Sequence, residues 1–352
     1  LDLWLEAKKW LKSLGAWGVI IDHLNAVLAI TCPVRQWILR NRVYEAENGG
    51  LNSTHYEFSG VGEWSMTRAE ALEAMVTEYE ELGFDKYFVL SLKRALPVGS
   101  TYIKNKDFAR GRPVVNARHL PHRRLSRAVA RAINHMLQWA IRNGKLKSFT
   151  LFKTGDVVER VAKIDKKRRD KFPDRLFSMY SGDVKQMFTD CDFQFALGSV
   201  AHLIQLVRTH TRHTSIVIPS NRKHKPYFGR YMGNNPRFVT LDLVVIFRAL
   251  AFEHKHAYIC LGDDMLLRMK EGAPMGFPSS PAFCQSAAAR VMDLHLSAIP
   301  PDDLDQIDGM CYVDDLLDMC LYDDGQEQAA RNIAQGLVGA FAEVGMLLVE
   351  DA

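Results

Sequence analysis

Residues 311–316 read Cys-Tyr-Val-Asp-Asp-Leu, two adjacent carboxylates inside an otherwise apolar stretch. Met310, Cys311, Val313, Leu316, Leu317 and Met319 would bury readily, and Asp314 and Asp315 sit among them. An ionised carboxylate taken out of water costs several kcal/mol unless it is paired or holds a cation. A tight turn between two short strands would place both carboxylates at a hairpin tip, where oxygen ligands suit hard divalent cations. An isolated Asp-Asp pair could equally be a solvated turn. A further lone acid lies in Tyr180-Ser-Gly-Asp183-Val184-Lys-Gln-Met-Phe188, five residues before an aromatic ring. By itself Asp183 would read as a helix cap or a turn residue.

The Tyr312-Val-Asp314-Asp315 hairpin resembles the catalytic hairpin of reverse transcriptases. Three other segments resemble the same family in the same order. They are Ile103-Lys104-Asn-Lys106-Asp-Phe-Ala-Arg-Gly-Arg112-Pro-Val-Val115, the Asp183 segment, and Gly272-Ala-Pro-Met275-Gly276-Phe-Pro-Ser-Ser-Pro281-Ala-Phe-Cys-Gln285. The resemblance implies an α+β right-hand polymerase, with fingers, an antiparallel palm sheet backed by helices, and a mainly helical N-terminal extension. It implies an RNA-directed DNA polymerase that joins dNTPs to a primer 3′-hydroxyl, using two Mg2+ ions with Mn2+ as a substitute. The implied partners are an RNA template, a DNA or RNA primer and dNTP, with no membrane. Met275 departs from the Gln usual before that glycine. Met-Gly and Tyr-Val-Asp-Asp together resemble the Penelope-like or the intron and organellar branches.

Nucleotidyl transfer needs an in-line attack on an α-phosphate, and two divalent ions about 4 Å apart can activate the attacking oxygen and neutralise the leaving group. Carboxylates from separate strands must therefore converge. Asp183 and Asp314 are the bridging candidates, and Asp315 is the auxiliary ligand. The resemblance places Phe188 under the sugar, where a large apolar ring leaves a 2′-hydroxyl no partner; a core phenylalanine is the alternative. It assigns Arg112 to the triphosphate, with Lys104 or Lys106 adding a second positive charge. Val184, Met275, Gly276 and Gln285 complete the nucleotide pocket, and Tyr312 sits near the primer end. Gly276 permits close backbone approach, and Ser279 and Ser280 can cap the helix that follows.

These residues need a scaffold, and the chain is long enough to supply one. Its 352 residues, 47% apolar and 24% charged, fit two or three subdomains with a large core. Net charge is only +4, yet residues 104–131 carry nine Lys/Arg against one acid, and residues 302–324 carry nine Asp and no Lys or Arg. A basic part that grips phosphates and an acidic part that holds cations would segregate charge in this way. The six cysteines form no C-x-x-C pair, which fits reduced intracellular usage without disulfides or structural zinc. The longest apolar stretches, Ala16–Val34 and Leu241–Phe252, are interrupted by Asp22 and His23 and by Asp242 and Arg248, so neither fits a membrane span. The chain begins at Leu1 and ends Val349-Glu-Asp-Ala352, which reads as a processed or partial product. Nucleus and mitochondrion both stay open as compartments.

Residues 1–87 read as a helical N-terminal extension, 88–175 as fingers, and 176–352 as palm, with a fingers or insert portion near 208–240 and no thumb. A thumb would then come from further domains or partners. Expected strands are Phe88–Leu92, Pro113–Asn116, Phe177–Gly182, Ala257–Cys260 and Leu266–Met269, with a catalytic hairpin over Met310–Cys320. Expected helices are Thr67–Leu82, Leu125–Leu146, Phe193–Val207, Leu241–His254, Ser279–Ala298 and Gln328–Val344. Arg124, Arg127 and Arg131 share a helical face. Lys163–Arg169 reads as a nucleic-acid contact or an exposed charged loop, a nuclear localisation patch being a third reading. Asp263-Asp264 precedes the Gly276 segment, so it reads as a solvated hairpin tip. Two other functions fit the same residues: an RNA-templated RNA polymerase, and a domesticated RNA-binding scaffold that keeps the fold without polymerising.

Overall fold

A computed structural model of the chain describes residues 17–20, 28–31, 33–44, 55–61, 63–91, 95–103, 111–221, 223–262 and 265–350. In chain order the strands are β1 (Trp17–Ile20), β2 (Leu28–Thr31), β3 (Tyr56–Phe58), β4 (Val98–Ile103), β5 (Gly111–Asn116), β6 (Leu176–Val184) and β7 (Ser215–Pro219). They continue with β8 (Tyr227–Phe228), β9 (Phe238–Asp242), β10 (Tyr258–Leu261), β11 (Met265–Met269), β12 (Ile307–Tyr312), β13 (Asp315–Tyr322) and β14 (Leu348–Glu350). The longer helices are α1 (Pro33–Tyr44), α2 (Arg68–Glu81), α3 (Arg123–Arg142) and α4 (Asp156–Lys171). They are followed by α5 (Phe193–Thr211), α6 (Leu243–Lys255), α7 (Ser280–Ala298) and α8 (Glu327–Ala342). The chain divides into two compact units, Leu1–Arg123 with Glu253–Phe277, and Arg124–Phe252 with Pro278–Ala352.

The first unit is built on a five-stranded sheet ordered β3-β11-β10-β4-β5. Tyr44, Phe58, Val115, Ile259, Leu267 and Phe277 meet in its core. Helix α2 starts at a capping box, in which the Thr67 side chain accepts from the Glu70 amide and Glu70 accepts from the Thr67 amide. It stops before Gly83, whose φ of 68° only glycine adopts without cost.

The second unit carries a four-stranded antiparallel sheet ordered β12-β13-β6-β14. Along β12 and β13 buried and part-exposed residues alternate, so one face is covered and the other is open. Helix α8 packs on β13, and α5 and α7 pack on each other behind it. Asp192 caps α5 by accepting from the Phe195 amide at 2.6 Å, and α7 buries Ala282, Ser286, Ala287, Ala288 and Ala289, small side chains that let neighbours approach closely. A second, three-stranded sheet, β8-β7-β9, completes the unit.

Two expectations need correction. The strand expected at Phe88–Leu92 is absent over residues 88–91; the partner of β5 is β4, ten residues later. Its Val-Gly-Ser-Thr-Tyr-Ile run was a weaker apolar signal than Phe-Val-Leu, and sheet pairing overrode propensity. The charged stretch Lys163–Arg169 is a helix, α4, and not a loop. Its ion pairs Lys166–Asp170 and Arg169–Asp165 follow the i,i+4 spacing that supports a polar helix. Among the described residues, the first 87 hold α1, α2, β1, β2 and β3, and β3 is an edge strand of the five-stranded sheet. Residues 124–175 lie in the second compact unit.

Candidate metal centre

Strand register assembles the acidic site. Asp183, near the end of β6, lies directly opposite Asp315, the first residue of β13, and Tyr312 lies opposite Asp315 on the other side. Directly paired residues of antiparallel strands project to the same face, so Asp183, Asp315 and Tyr312 share the open one. Val313 and Asp314 form a two-residue hairpin turn. The Val184 amide donates to the Asp314 carbonyl at 2.9 Å, which holds the turn against the end of β6. Carboxylate oxygens of Asp183, Asp314 and Asp315 all lie within 4.8 Å of one another. Asp183 and Asp315 are exposed and Asp314 is half-buried. Three carboxylates at this spacing repel one another in the absence of a counter-charge, and an all-oxygen donor set fits a hard divalent cation such as Mg2+.

The turn is strained. Val313 has φ 59°, a left-handed conformation that a β-branched side chain disfavours. The surrounding contacts enforce it. Residues 149–151 run alongside β12: the Cys311 amide donates to the Phe149 carbonyl at 2.9 Å and the Leu151 amide to the Cys311 carbonyl at 2.7 Å. A Cβ on Gly309 would come within 2.6 Å of the Phe149 ring, so only glycine lets this segment close in. The buried Gln285 amide donates to the Leu151 carbonyl at 2.9 Å. Burial, then the neighbouring Asp314 and Asp315, pushes the Cys311 thiol up to about 12, so it stays a neutral packing group. On the other flank of β6, Val349 of β14 lies opposite Asp183. Gly345, at φ 78°, makes that return possible, because a Cβ there would lie 2.6 Å from the Asp190 carbonyl oxygen.

The other candidate residues divide between the two units. In the second, Phe188 belongs to the single turn Met187–Asp190 that follows Gln186, itself at φ 52°. Met187 and Thr189 are buried and Phe188 between them is half-buried. The Val184 side chain is buried and its amide is spent on Asp314. In the first unit, Arg112 lies on β5 opposite Tyr102 and is half-buried. The Val115 amide of β5 donates to the Met275 carbonyl at 2.8 Å. Gly276, at φ 120°, leaves a Cβ only 2.0 Å from the Val115 carbonyl oxygen. Lys104, Lys106 and the Asp263-Asp264 tip lie outside the described residues. Sequence reasoning passed over Phe149–Leu151, Gly309 and Asp318. A glycine inside an apolar strand was the available signal for the first two; a buried acid three residues past the pair was the signal for Asp318.

No family model matches the sequence, and no curated protein matches it. Solved structures do. Telomerase from Candida albicans, in complex with the TWJ fragment of telomeric RNA, superimposes with a TM-score of 0.54 at 14% identity, over 79% of this chain and 47% of that one. Apo telomerase from Candida tropicalis gives a TM-score of 0.54 at 12% identity, over 84% of this chain and 52% of that one. The fold is polymerase-like. The chain has the α+β architecture of polymerase fingers and palm and spans about half the length of these solved chains. No helix among the described residues is long and apolar enough to cross a membrane.

Proposed function

We propose that this chain is the fingers and palm of an RNA-templated DNA polymerase, a reverse transcriptase. The observation that carries the reading is the convergence of Asp183, Asp314 and Asp315 at one strand register, on a strained turn and on the open face of an antiparallel sheet. Bound divalent ions, Mg2+ in the first instance, would supply activation of the primer hydroxyl and charge neutralisation of the departing pyrophosphate. Asp183 and Asp314 are the residues that would hold them, with Asp315 as auxiliary. Tyr312, on the same open face, would touch the primer end. Phe188, half-exposed just after Asp183, would form the floor under the sugar and disfavour a 2′-hydroxyl. Arg112, with Lys104 and Lys106, would bind the triphosphate, and Met275 and Gly276 would line the nucleotide pocket. Gln285 and Val184, in the second unit, would serve nucleotide binding by positioning, since their polar groups already hold Leu151 and Asp314. The sequence boundaries then read as an extension over 1–87, fingers over 88–175 and palm over 176–352, with an insert near 208–240.

Primer extension on RNA and DNA templates, with dNTPs or rNTPs and Mg2+, tests the reading. DNA synthesis on RNA supports it. Synthesis with rNTPs alone would point to an RNA polymerase, and RNA binding without synthesis by the folded protein would point to a scaffold.

A further inference from the structure

Between Asp192 and Asp242 the chain contains seven Lys/Arg and no acidic residue. The three-stranded sheet β8-β7-β9 lies inside this interval. Lys223, Lys225, Arg230 and Arg237 are exposed, and none has a carboxylate partner among the described residues. Local bonds fix where these cations stand. Arg131 donates to the carbonyls of Pro219 and His224, pinning the loop that carries Lys223 and Lys225. The Ser220 amide donates to the Arg237 carbonyl at 2.6 Å, which brings Arg237 to the same end of β7. The Gly229 amide donates to the Ser215 carbonyl at 2.9 Å, which sets Arg230 at the opposite end. Five residues of strand separate the two groups, about 16 Å at 3.3 Å per residue.

Aromatic rings lie between them. Tyr227 pairs with Val217, the middle residue of β7, and its side chain is exposed. Its neighbour Phe228 turns inward, against His135 at 4.9 Å and Trp139 at 5.6 Å between ring centroids, and so anchors the strand. At the β9 side Tyr231 and Phe238 stack at 4.6 Å.

The central strand β7 is buried along its whole length, so we infer that the β8 edge of this sheet is a binding surface for single-stranded nucleic acid, with cations at its two ends for phosphates and Tyr227 between them for a base. Unpaired bases present faces that stack on exposed rings, and the backbone supplies charge at both ends of such a run. An anionic membrane would also take up the cations and an interfacial tyrosine, so vesicle binding is measured as a separate arm of the test. RNA and DNA strands share the chemistry recognised here, so either can occupy the surface. The inference goes beyond the polymerase reading and does not require catalysis.

The test is fluorescence anisotropy of the full chain with labelled single-stranded RNA and DNA oligonucleotides, across a salt series, without nucleotide or Mg2+. Flotation with phosphatidylserine vesicles runs in parallel. Replacing Lys223, Lys225, Arg230 and Arg237 together by Ala should lower the slope of log K against log[salt] by about 3, since each phosphate contact to a single strand contributes about 0.7. Tyr227→Ala should weaken binding about fivefold or more at an unchanged slope, and Tyr227→Phe should retain wild-type affinity. Circular dichroism and melting temperature should stay at wild-type values for all three, because the altered side chains are exposed. Wild-type affinity and slope for both strands in the folded fourfold or Tyr227→Ala variant would overturn the inference. So would loss of vesicle binding alone. Failure of primer extension by the wild-type protein would sink the polymerase reading and leave these binding results standing.

Discussion

At the scale of single residues, the acidic trio and the ring beside it carry the sharpest consequences. Asp314→Asn keeps the size of the side chain and removes the charge that a divalent cation needs. DNA synthesis by this variant is expected to fall by several orders of magnitude, while RNA affinity, measured by anisotropy, stays near wild type. Normal extension would remove Asp314 from the metal centre. Phe188 tests the sugar. Phe188→Val opens space where a 2′-hydroxyl would clash, so rNTP use relative to dNTP is expected to rise at least about tenfold, or roughly 1.4 kcal/mol of relaxed discrimination. The gain should appear in rNTP kinetics, because removing a clash helps only the substrate that clashed. Unchanged selectivity in a folded, active variant would return Phe188 to an ordinary packing role.

At the scale of elements, close backbone approaches decide what can change. Gly276 faces the Val115 carbonyl at a φ of 120°, with no room for a Cβ. Gly276→Ala must either displace β5 or unwind the Gly272–Phe277 turn, and a loss of about 2 kcal/mol or more is expected in urea unfolding. A midpoint equal to wild type would show that the segment can move aside. Such geometry also explains how much was legible in the sequence. The acidic hairpin could be read because its apolar alternation and its turn acids are local, and α7 because its Ala-rich run follows a Ser-Ser-Pro start. Helix α4 was missed as a helix because it buries no side chain and its apolar residues, Val157, Val158, Val161 and Ile164, are few beside its charges. β1 and β2 lie in an apolar run that period alone assigns to neither state. Asp183 and the pair at 314–315 could each be seen in the sequence, but the register that puts Asp183 opposite Asp315 depends on pairing across more than 120 residues of chain.

At the scale of the whole molecule, buried titratable groups shape stability against pH. Burial depresses His122 to about 3 and also lowers His135, His202, His254, His256 and His295. Below about pH 6.5 the unfolded chain binds protons that these folded sites refuse, so stability is expected to fall as pH drops from neutrality. Asp318 acts in the opposite sense. It is buried on β13, one carboxylate oxygen has no hydrogen-bond partner, and desolvation pushes it from 3.8 up to about 7. Its penalty is absent below the unfolded value and complete above the folded one. Asp318→Asn is therefore expected to raise the melting temperature most at pH 8 and hardly at all near pH 4, as thermal melts would show; a gain independent of pH would contradict the assignment. The register of the four-stranded sheet has one more consequence, in what insertions and deletions the gene can survive. Side chains alternate faces along a strand, so a single added or lost codon within β12 or between Asp183 and the start of β6 turns part of the strand inside out. Gly144 and Gly325 are exposed turn residues, the kind of position where a chain tolerates extra length. Among descendants of this gene, lengths should drift at those two turns and stay constant through the acidic hairpin, even where composition has changed beyond recognition.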